Sequence, residues 1–152
     1  KILKEKINPD FIQDIGIITP YKAQADLLKN KLKSIRNNFK DSNIGLDIGT
    51  VDSFQGSDRD IIIYDCVRSS KGKNSKQSQR QRKGGKIDFI ADEKRLNVSL
   101  SRAKKLLLIV GDMEFLYQAS VTEGENPFVK IIEYMQEHKQ SYEIINEVKS
   151  KE

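Results

Sequence analysis

The sequence predicts an α/β domain, a three-layer sandwich in which a mainly parallel sheet lies between helices. Three short runs, residues 15–19, 60–67 and 106–110, are mostly apolar. Such runs are typical of parallel strands, because helices cover both faces of a parallel sheet and bury both sets of alternating side chains. Helical patterns at residues 22–39 and 95–104 lie between these strands, as a parallel sheet requires.

The first strand and helix predict the start of a βαβ unit. Residues 15–19 end at Pro20, as a buried strand that opens into a loop would. The next apolar side chains recur at helical spacing and are Leu28, Leu32, Ile35 and Phe39. Lysines lie between them, so one amphipathic helix is predicted over residues 22–39.

A polar segment separates the next two predicted strands. Residues 46–51 have a weaker strand pattern, which Gly49 interrupts, whereas residues 60–67 are typical of a buried strand. The polar residues 52–58 follow the carboxyl end of the weaker strand. Loops in this position are where sheets of this kind bind ligands.

Residues 95–104, RLNVSLSRAK, predict a helix with two stripes, and Asp92 is suited to cap its start. The apolar stripe is Leu96, Leu100 and Ala103, and the polar stripe is Arg95, Ser99 and Arg102. We expect the apolar stripe to pack on the sheet and the polar stripe to point into a cleft. Periodicity alone leaves open a second interpretation, in which the arginines form a solvated face.

The remaining segments set the predicted boundaries. Asn126-Pro127 opens a final helix, and residues 142–145 are predicted as an edge strand. The predicted boundaries are 1–14 for a lead-in from a truncated upstream part, 15–146 for the domain and 147–152 for a charged tail.

The basic character of the chain is confined to one segment. The net charge is +5, and residues 71–86 hold seven basic and no acidic residues, which leaves 5 − 7 = −2 for the rest. Residues 68–86 contain no apolar side chain, so we expect disorder there. The body of the domain is therefore not a general polyanion-binding surface.

Composition excludes an internal disulfide framework, and no metal site can be assembled from one histidine and one cysteine. Cys66 is the only cysteine and lies in an apolar run, and His138 is the only histidine. Cys66 is interpreted as a small core residue. No apolar run approaches a membrane span and no secretory h-region is present, so we expect an intracellular protein, nuclear or cytoplasmic.

Three polar clusters, residues 19–24, 50–60 and 95–104, are expected to line one cleft. Their carboxylate, amide, hydroxyl and guanidinium groups suit a nucleotide phosphate site. The sequence has no G-x-x-x-x-G-K-[ST] loop to cradle phosphates or hold magnesium. Such a domain is expected to act on a nucleotide that another domain holds, which argues against a free-standing nucleotide-binding enzyme.

The same clusters resemble motifs of a known family. Residues 19–24 (TPYKAQ), 50–63 (TVDSFQGSDRDIII) and 95–104, followed by LLIVGD, resemble motifs IV, V and VI of superfamily 1 helicases. The most similar branch includes the nonsense-mediated decay RNA helicase and the senataxin-like helicases. The resemblance covers about residues 15–116 and implies the C-terminal, second RecA-like motor domain, of P-loop NTPase type but without the P-loop.

The resemblance implies an ATP hydrolase that travels 5′ to 3′ on single-stranded RNA or DNA and unwinds duplexes. ATP and Mg²⁺ would be held mainly by the first RecA-like domain of the same protein. The isolated chain is therefore expected to be inactive.

The resemblance also implies a role for individual residues. Arg102 matches the arginine finger, and Arg95 matches the first arginine of motif VI, which supports the same catalytic site. The nucleotide-binding positions are Gln55, Gly56 and Asp58, where aspartate replaces a usual glutamate. The positions that face the nucleic acid are Thr19, Pro20, Tyr21, Thr50, Asp52 and Ser53.

Several assignments have structural alternatives. Tyr21 could cover the sheet edge, and Asp52 with Ser53 could form a turn or a helix cap. Arg68 could make an internal salt bridge or line the cleft. Residues 71–86 form an insertion relative to the family, either a spacer or a source of salt-dependent affinity for nucleic acid.

A second hypothesis for the whole protein is a non-catalytic scaffold that keeps the helicase fold and binds RNA or proteins. The intact Arg95 and Arg102 argue against this hypothesis, and the replacement at Asp58 favours it.

Overall fold

The computed structural model describes residues 12–40, 44–68 and 87–145. The predictions for residues 1–11, 71–86 and 147–152 lie outside this part of the chain. Four strands form one sheet: β1 (Asp14–Thr19), β2 (Gly45–Thr50), β3 (Arg59–Asp65) and β4 (Ala103–Val110). Their order is β2-β1-β3-β4 and every neighbouring pair is parallel, which confirms the predicted parallel sheet.

Helices follow or connect the strands. They are α1 (Lys22–Lys31), α2 (Lys33–Lys40), α3 (Glu93–Leu100), α4 (Met113–Gln118) and α5 (Pro127–Glu137). A short 3₁₀ helix (Val51–Phe54) begins the connection from β2 to β3. This connection passes over β1, because β1 lies between β2 and β3 in the sheet.

Each face of the sheet has its own hydrophobic core. On one face, Ile15 and Ile61 pack with partly buried residues that include Leu28 of α1. On the other face, Ile18 and Ile62 lie in the cluster that also contains Leu96, Phe115 and Phe128. Side chains alternate between the faces along each strand, so both faces of an apolar strand are buried. The three-layer α/β fold is confirmed.

Three local predictions need correction, and the first concerns residues 22–39. The predicted single helix is divided at Leu32, whose φ of −94° and ψ of 11° end α1. The amide of Leu32 donates to Leu28 O at 2.8 Å, and Arg36 N donates to Leu32 O at 2.8 Å. Hydrogen bonding therefore continues on both sides, and the break is a local distortion.

The arginine helix is shorter than predicted. α3 ends at Leu100, Ser101 and Arg102 form a turn, and Ala103 already pairs with Arg59 in the sheet. Pairing with β3 replaces the last helical turn. Ala103 and Arg102 therefore do not lie on helical stripes.

Residues 142–145 form no strand, and α4 was not predicted. Tyr142 instead packs edge-to-face on Tyr134 of α5, with ring centroids 5.5 Å apart. α4 begins where the Asp112 carboxylate accepts a hydrogen bond from Phe115 N at 3.0 Å. The final helix begins as predicted, with Asn126 as its cap and proline in its first turn.

The sheet has two edges that matter for the site. The carboxyl edge is where β1, β2 and β3 end, at Thr19, Thr50 and Asp65. The amino edge is where β3 and β4 begin, at Arg59 and Ala103. α3 precedes β4, so it begins beside the carboxyl edge and its chain reaches the amino edge at residue 102.

Candidate functional site

Arg102 lies at the amino edge and is held by its own domain. Its backbone oxygen accepts a hydrogen bond from Arg59 N at 2.9 Å, which ties the turn to β3. Each nitrogen of its guanidinium has a partner: Nη1 contacts Asp58 Oδ1 at 2.9 Å, Nε contacts Val98 O at 3.1 Å and Nη2 contacts Ser101 Oγ at 3.3 Å. The side chain is 23% exposed, so a ligand can still reach it.

Asp58 brings the motif V segment to this arginine. Gln55 and Gly56 lie in the exposed turn that leads from the 3₁₀ helix to Asp58. Gly56 has a φ of +76°, a left-handed conformation that favours glycine. Among the described residues, no atom lies within 4 Å of the place where a Cβ would stand on Gly56. This turn therefore has open space around it and ends beside Arg102.

Other carboxylates at the amino edge are paired as well. Asp47 contacts Arg59 Nη2 at 2.8 Å. The nearly buried Asp60 accepts a hydrogen bond from Gln13 N at 2.8 Å, and one of its oxygens lies 3.1 Å from Lys105 Nζ. The hydrogen bond from Gln13 N, followed by Lys105, lowers the pKa of the Asp60 carboxyl below its usual value. The amino edge is thus a row of ion pairs.

The carboxyl edge is built differently. Tyr21, two residues after the end of β1, stacks on Phe89 with ring centroids 5.1 Å apart and planes 19° apart. The Arg95 guanidinium carbon lies 4.3 Å from the centre of the Phe89 ring. Arg68 donates from Nε to the Tyr21 hydroxyl at 3.3 Å, and its guanidinium carbon lies 5.9 Å from the Tyr21 ring. We call these four side chains the edge stack.

The remaining predicted nucleic-acid positions differ in exposure. Thr19 is fully buried and Pro20 is buried, so neither residue is exposed to a strand. Thr50 is half-buried and pairs with Thr19 in the sheet register, whereas Asp52 and Ser53 are exposed. The Ser53 hydroxyl donates a hydrogen bond to Thr50 O at 2.6 Å. This contact agrees with the alternative interpretation, in which Ser53 stabilises a turn.

The predicted polar stripe does not line one cleft. Arg95, in the first turn of α3, reaches the carboxyl edge, whereas Arg102 lies at the amino edge. Ser99 is fully buried and donates its hydroxyl to Arg95 O at 2.8 Å. The prediction of a shared cleft for the two arginines is wrong, because α3 crosses the sheet and presents its two ends at opposite edges.

Sequence reasoning missed Phe89 and left Arg68 undecided. Phe89 belongs to the short apolar run before α3, where nothing in its spacing distinguishes it from a core residue. In the structure it is 44% exposed. Its partner Tyr21 lies far away in sequence, so the contact between the two rings is visible only in the folded structure.

Cys66 is a core residue, as predicted. Its thiol is fully buried, and burial raises its pKa to about 12. In the described ranges, no group of three or more histidine, cysteine, aspartate or glutamate side chains could hold a metal ion. No described helix is long and apolar enough to cross a membrane.

The parallel sheet and its polar connections define an α/β domain, and residues 1–114 match the family model described as an AAA domain. The chain is 40% identical over 117 residues to helicase sen1 of Schizosaccharomyces pombe, covering 76% of this chain and 6% of that protein. It is 36% identical over 103 residues to a regulator of nonsense transcripts 1 homolog of Neurospora crassa, covering 68% and 8%. A probable helicase senataxin of Mus musculus is 37% identical over 118 residues, covering 78% and 4%.

The chain belongs to the superfamily 1 helicases, in the branch that includes the nonsense-mediated decay helicase and senataxin. It spans less than a tenth of the length of these three relatives.

Proposed function

We propose that the chain is the second RecA-like motor domain of an ATP-dependent helicase that translocates on single-stranded nucleic acid and unwinds duplexes. Family membership supports the helicase class. The absence of a G-x-x-x-x-G-K-[ST] loop from the sequence supports the second domain, because the first domain must hold the phosphates. The observation that carries the proposal is Arg102, fixed at one edge beside the motif V turn.

Arg102 has the properties of an arginine finger. Its guanidinium is charged at every physiological pH, and its forked donors fit phosphate oxygens. Three contacts within the domain hold it before any ligand arrives, so little side-chain entropy is lost when it binds. ATP with Mg²⁺ would be held mainly by the first domain and would supply the phosphoryl bond whose cleavage drives translocation, while Arg102 would contact the phosphate from this domain.

Gln55, Gly56 and Asp58 would face the nucleotide from the same side. The exposed amide of Gln55 and the open space at Gly56 suit a polar ligand. Tyr21, Thr50, Asp52 and Ser53 would face the nucleic-acid strand, and the buried residues Thr19 and Pro20 would lie behind them. Contacts of this kind recognise phosphate and sugar rather than sequence.

The test is ATP hydrolysis by the full-length protein, with and without single-stranded RNA. We expect Arg102→Ala to reduce strand-stimulated turnover by a factor of about 10³ or more, as loss of an arginine finger does. Lys104→Ala is the matched control, because it removes an exposed positive charge two residues away. Equal turnover in Arg102→Ala and wild type would contradict the proposed role.

The scaffold alternative has one observation in its favour. Asp58 binds Arg102 at 2.9 Å and satisfies it within its own domain. A full-length wild type that binds RNA but hydrolyses no ATP would establish the scaffold and overturn the motor.

A further inference from the structure

The edge stack joins four separate segments of the chain. Tyr21 follows β1, Arg68 follows β3, Phe89 precedes α3 and Arg95 lies in its first turn. Stacked aromatic and guanidinium groups attract each other, because the positive charge lies against the negative face of a ring. Two cations therefore lie close to an aromatic pair on one edge of the domain.

We propose that the edge stack is a contact site for the phosphate backbone of a single-stranded nucleic acid, with Arg95 as its principal donor. The proposal deepens the proposed helicase function and rests on it. It assigns Arg95 to the strand rather than to the nucleotide site that the family resemblance implies.

The chemistry of Arg95 is the first argument. Its side chain is exposed, and no side-chain hydrogen bond or ion pair of Arg95 is present among the described residues. A guanidinium that stacks on a ring uses its flat face, and its N–H donors point outward in the plane. Arg95 is therefore oriented by Phe89 and still has donors for a phosphate.

The location is the second argument. Arg95 lies at the carboxyl edge, beside Tyr21 and on the same edge as Thr50, whereas Arg102 lies at the amino edge. Arg95 is linked through the Phe89 ring to Tyr21, which is itself one of the proposed strand-facing residues.

The nearby carboxylates are the third argument, because they are used within the domain. Asp92 caps α3 and accepts a hydrogen bond from Arg95 N at 2.8 Å, which fixes the backbone of Arg95. Asp65 accepts hydrogen bonds from Gln24 Nε2 at 2.8 Å and from Val67 N at 3.0 Å. These hydrogen bonds occupy carboxylate oxygens locally, and in the described part of the chain neither carboxylate forms an ion pair with the Arg95 guanidinium.

The exposure of Phe89 fits the same role. A phenylalanine that is 44% exposed contributes less to the core than a buried one, yet this ring touches both Tyr21 and Arg95. Phe89 is therefore a positioning residue that orients Arg95.

The test measures strand binding directly, by fluorescence anisotropy of the full-length protein with labelled 12-nucleotide oligo(U) and oligo(dT). We expect Arg95→Ala to weaken binding of both strands about 10-fold, the effect of losing a charge-assisted contact. The slope of log affinity against log salt should decrease by about 0.7, as expected for one lost contact to a single strand. The Lys94→Ala control removes the neighbouring exposed charge and should weaken binding less than twofold.

Variants of Phe89 separate stacking from simple packing. Phe89→Leu keeps an apolar side chain but removes the aromatic ring, and Phe89→Tyr keeps the ring. We expect Phe89→Leu to weaken strand binding about threefold, in the range of an exposed cation–π contact, and Phe89→Tyr to match wild type. Equal binding by Phe89→Leu and wild type, with unchanged thermal unfolding, would overturn the positioning role.

ATPase kinetics decide between the two roles of Arg95. We expect Arg95→Ala to raise the strand concentration that gives half-maximal ATPase, with most of the loss recovered at saturating strand. Unchanged strand binding together with a large loss of turnover at saturating strand would instead put Arg95 in the nucleotide site and overturn the proposal. The binding measurement needs no ATPase activity, so failure of the helicase function is seen separately, in wild type.

Discussion

The two edges of the sheet hold their arginines by different physical means. At the amino edge, Arg59 and Arg102 pair with Asp47 and Asp58 at 2.8 and 2.9 Å. At the carboxyl edge, Arg95 rests on an aromatic ring. An ion-paired arginine already uses some of its N–H donors within the domain, whereas a stacked arginine keeps its N–H donors for a ligand. An arginine at the amino edge must therefore exchange a carboxylate partner for a ligand. The arginine at the carboxyl edge can bind a ligand without losing an ion pair.

Each edge also contains a buried polar side chain. One of the two has hydrogen-bond partners and the other has none among the described residues. Asp60 is 6% exposed and has partners in Gln13 N and Lys105. Thr19 is fully buried, and its hydroxyl has no hydrogen-bond partner within the described part of the chain. Because an unpaired buried polar group is costly and a paired one is not, substitutions at the two positions should change stability in opposite directions.

The largest of these effects is expected at Asp60. Its folded-state pKa is lowered, so its ionised form stabilises the fold above the unfolded pKa of about 3.9, and this contribution is lost as pH falls through the folded pKa. Asp60→Asn should lower stability by about 1–2 kcal/mol at pH 7. The measurement is hydrogen exchange of the β1 and β3 amides in wild type and variant.

Acid provides the control for this prediction. The difference between wild type and Asp60→Asn should narrow as the pH falls from about 5 through the lowered folded-state pKa, because the carboxyl gains a proton first in the unfolded and then in the folded state. A difference that stays constant over this range would show that the charge of Asp60 does not stabilise the amino edge.

The two edges also differ in how much of them the sequence predicts. The strands β1 and β3 are predictable because burial on both faces requires apolar residues throughout. In contrast, β4, at the end of the sheet, is predicted from its apolar run 106–110 although its side chains are only half-buried or exposed. The end of α3 is not predictable, because Ala103 fits both a helical stripe and the first position of β4. That single ambiguity decides whether Arg102 lies on the helix or in the turn that leads into β4.

The site residues also differ in how much of their position can be predicted from the sequence. Asp58 and Arg102 were identified from their motifs, and the ion pair between them is a contact that no spacing rule predicts. Thr19 was predicted to face the strand, but its position at the end of a central strand buries its side chain. The contact between Tyr21 and Phe89 depends on tertiary packing alone.

The second prediction concerns Thr19. Thr19→Val replaces the buried hydroxyl with a methyl group of similar size and should stabilise the protein by about 1 kcal/mol. Hydrogen exchange of the β1 amides should slow accordingly. Thr19→Ser, which keeps the hydroxyl and loses the methyl group, is the matched control and should be destabilising. A loss of stability in Thr19→Val would mean that the hydroxyl is satisfied, and the contrast with Asp60 would fail.

The smallest expected effect is at Asp58, where the direction of the change in the KM for ATP distinguishes two roles of the carboxylate. The Asp58 carboxylate is 49% exposed, so its pair with Arg102 is worth no more than about 1 kcal/mol. If a phosphate must displace this carboxylate from Arg102, Asp58→Asn removes the competitor. The KM for ATP should then fall by about two- to fivefold, the equivalent of such a pair.

The family resemblance gives the opposite expectation, because a carboxylate at this position that contacts the nucleotide sugar would help to bind ATP. In that case Asp58→Asn would raise the KM for ATP and reduce the preference for ATP over its deoxy analogues. Asp47→Asn is the matched control: it removes a carboxylate at the same edge that is paired with Arg59 instead. Only competition between Asp58 and phosphate for Arg102 predicts a lower KM for ATP in Asp58→Asn and an unchanged KM in Asp47→Asn. This pair of variants therefore tests whether Asp58 holds Arg102 until ATP binds.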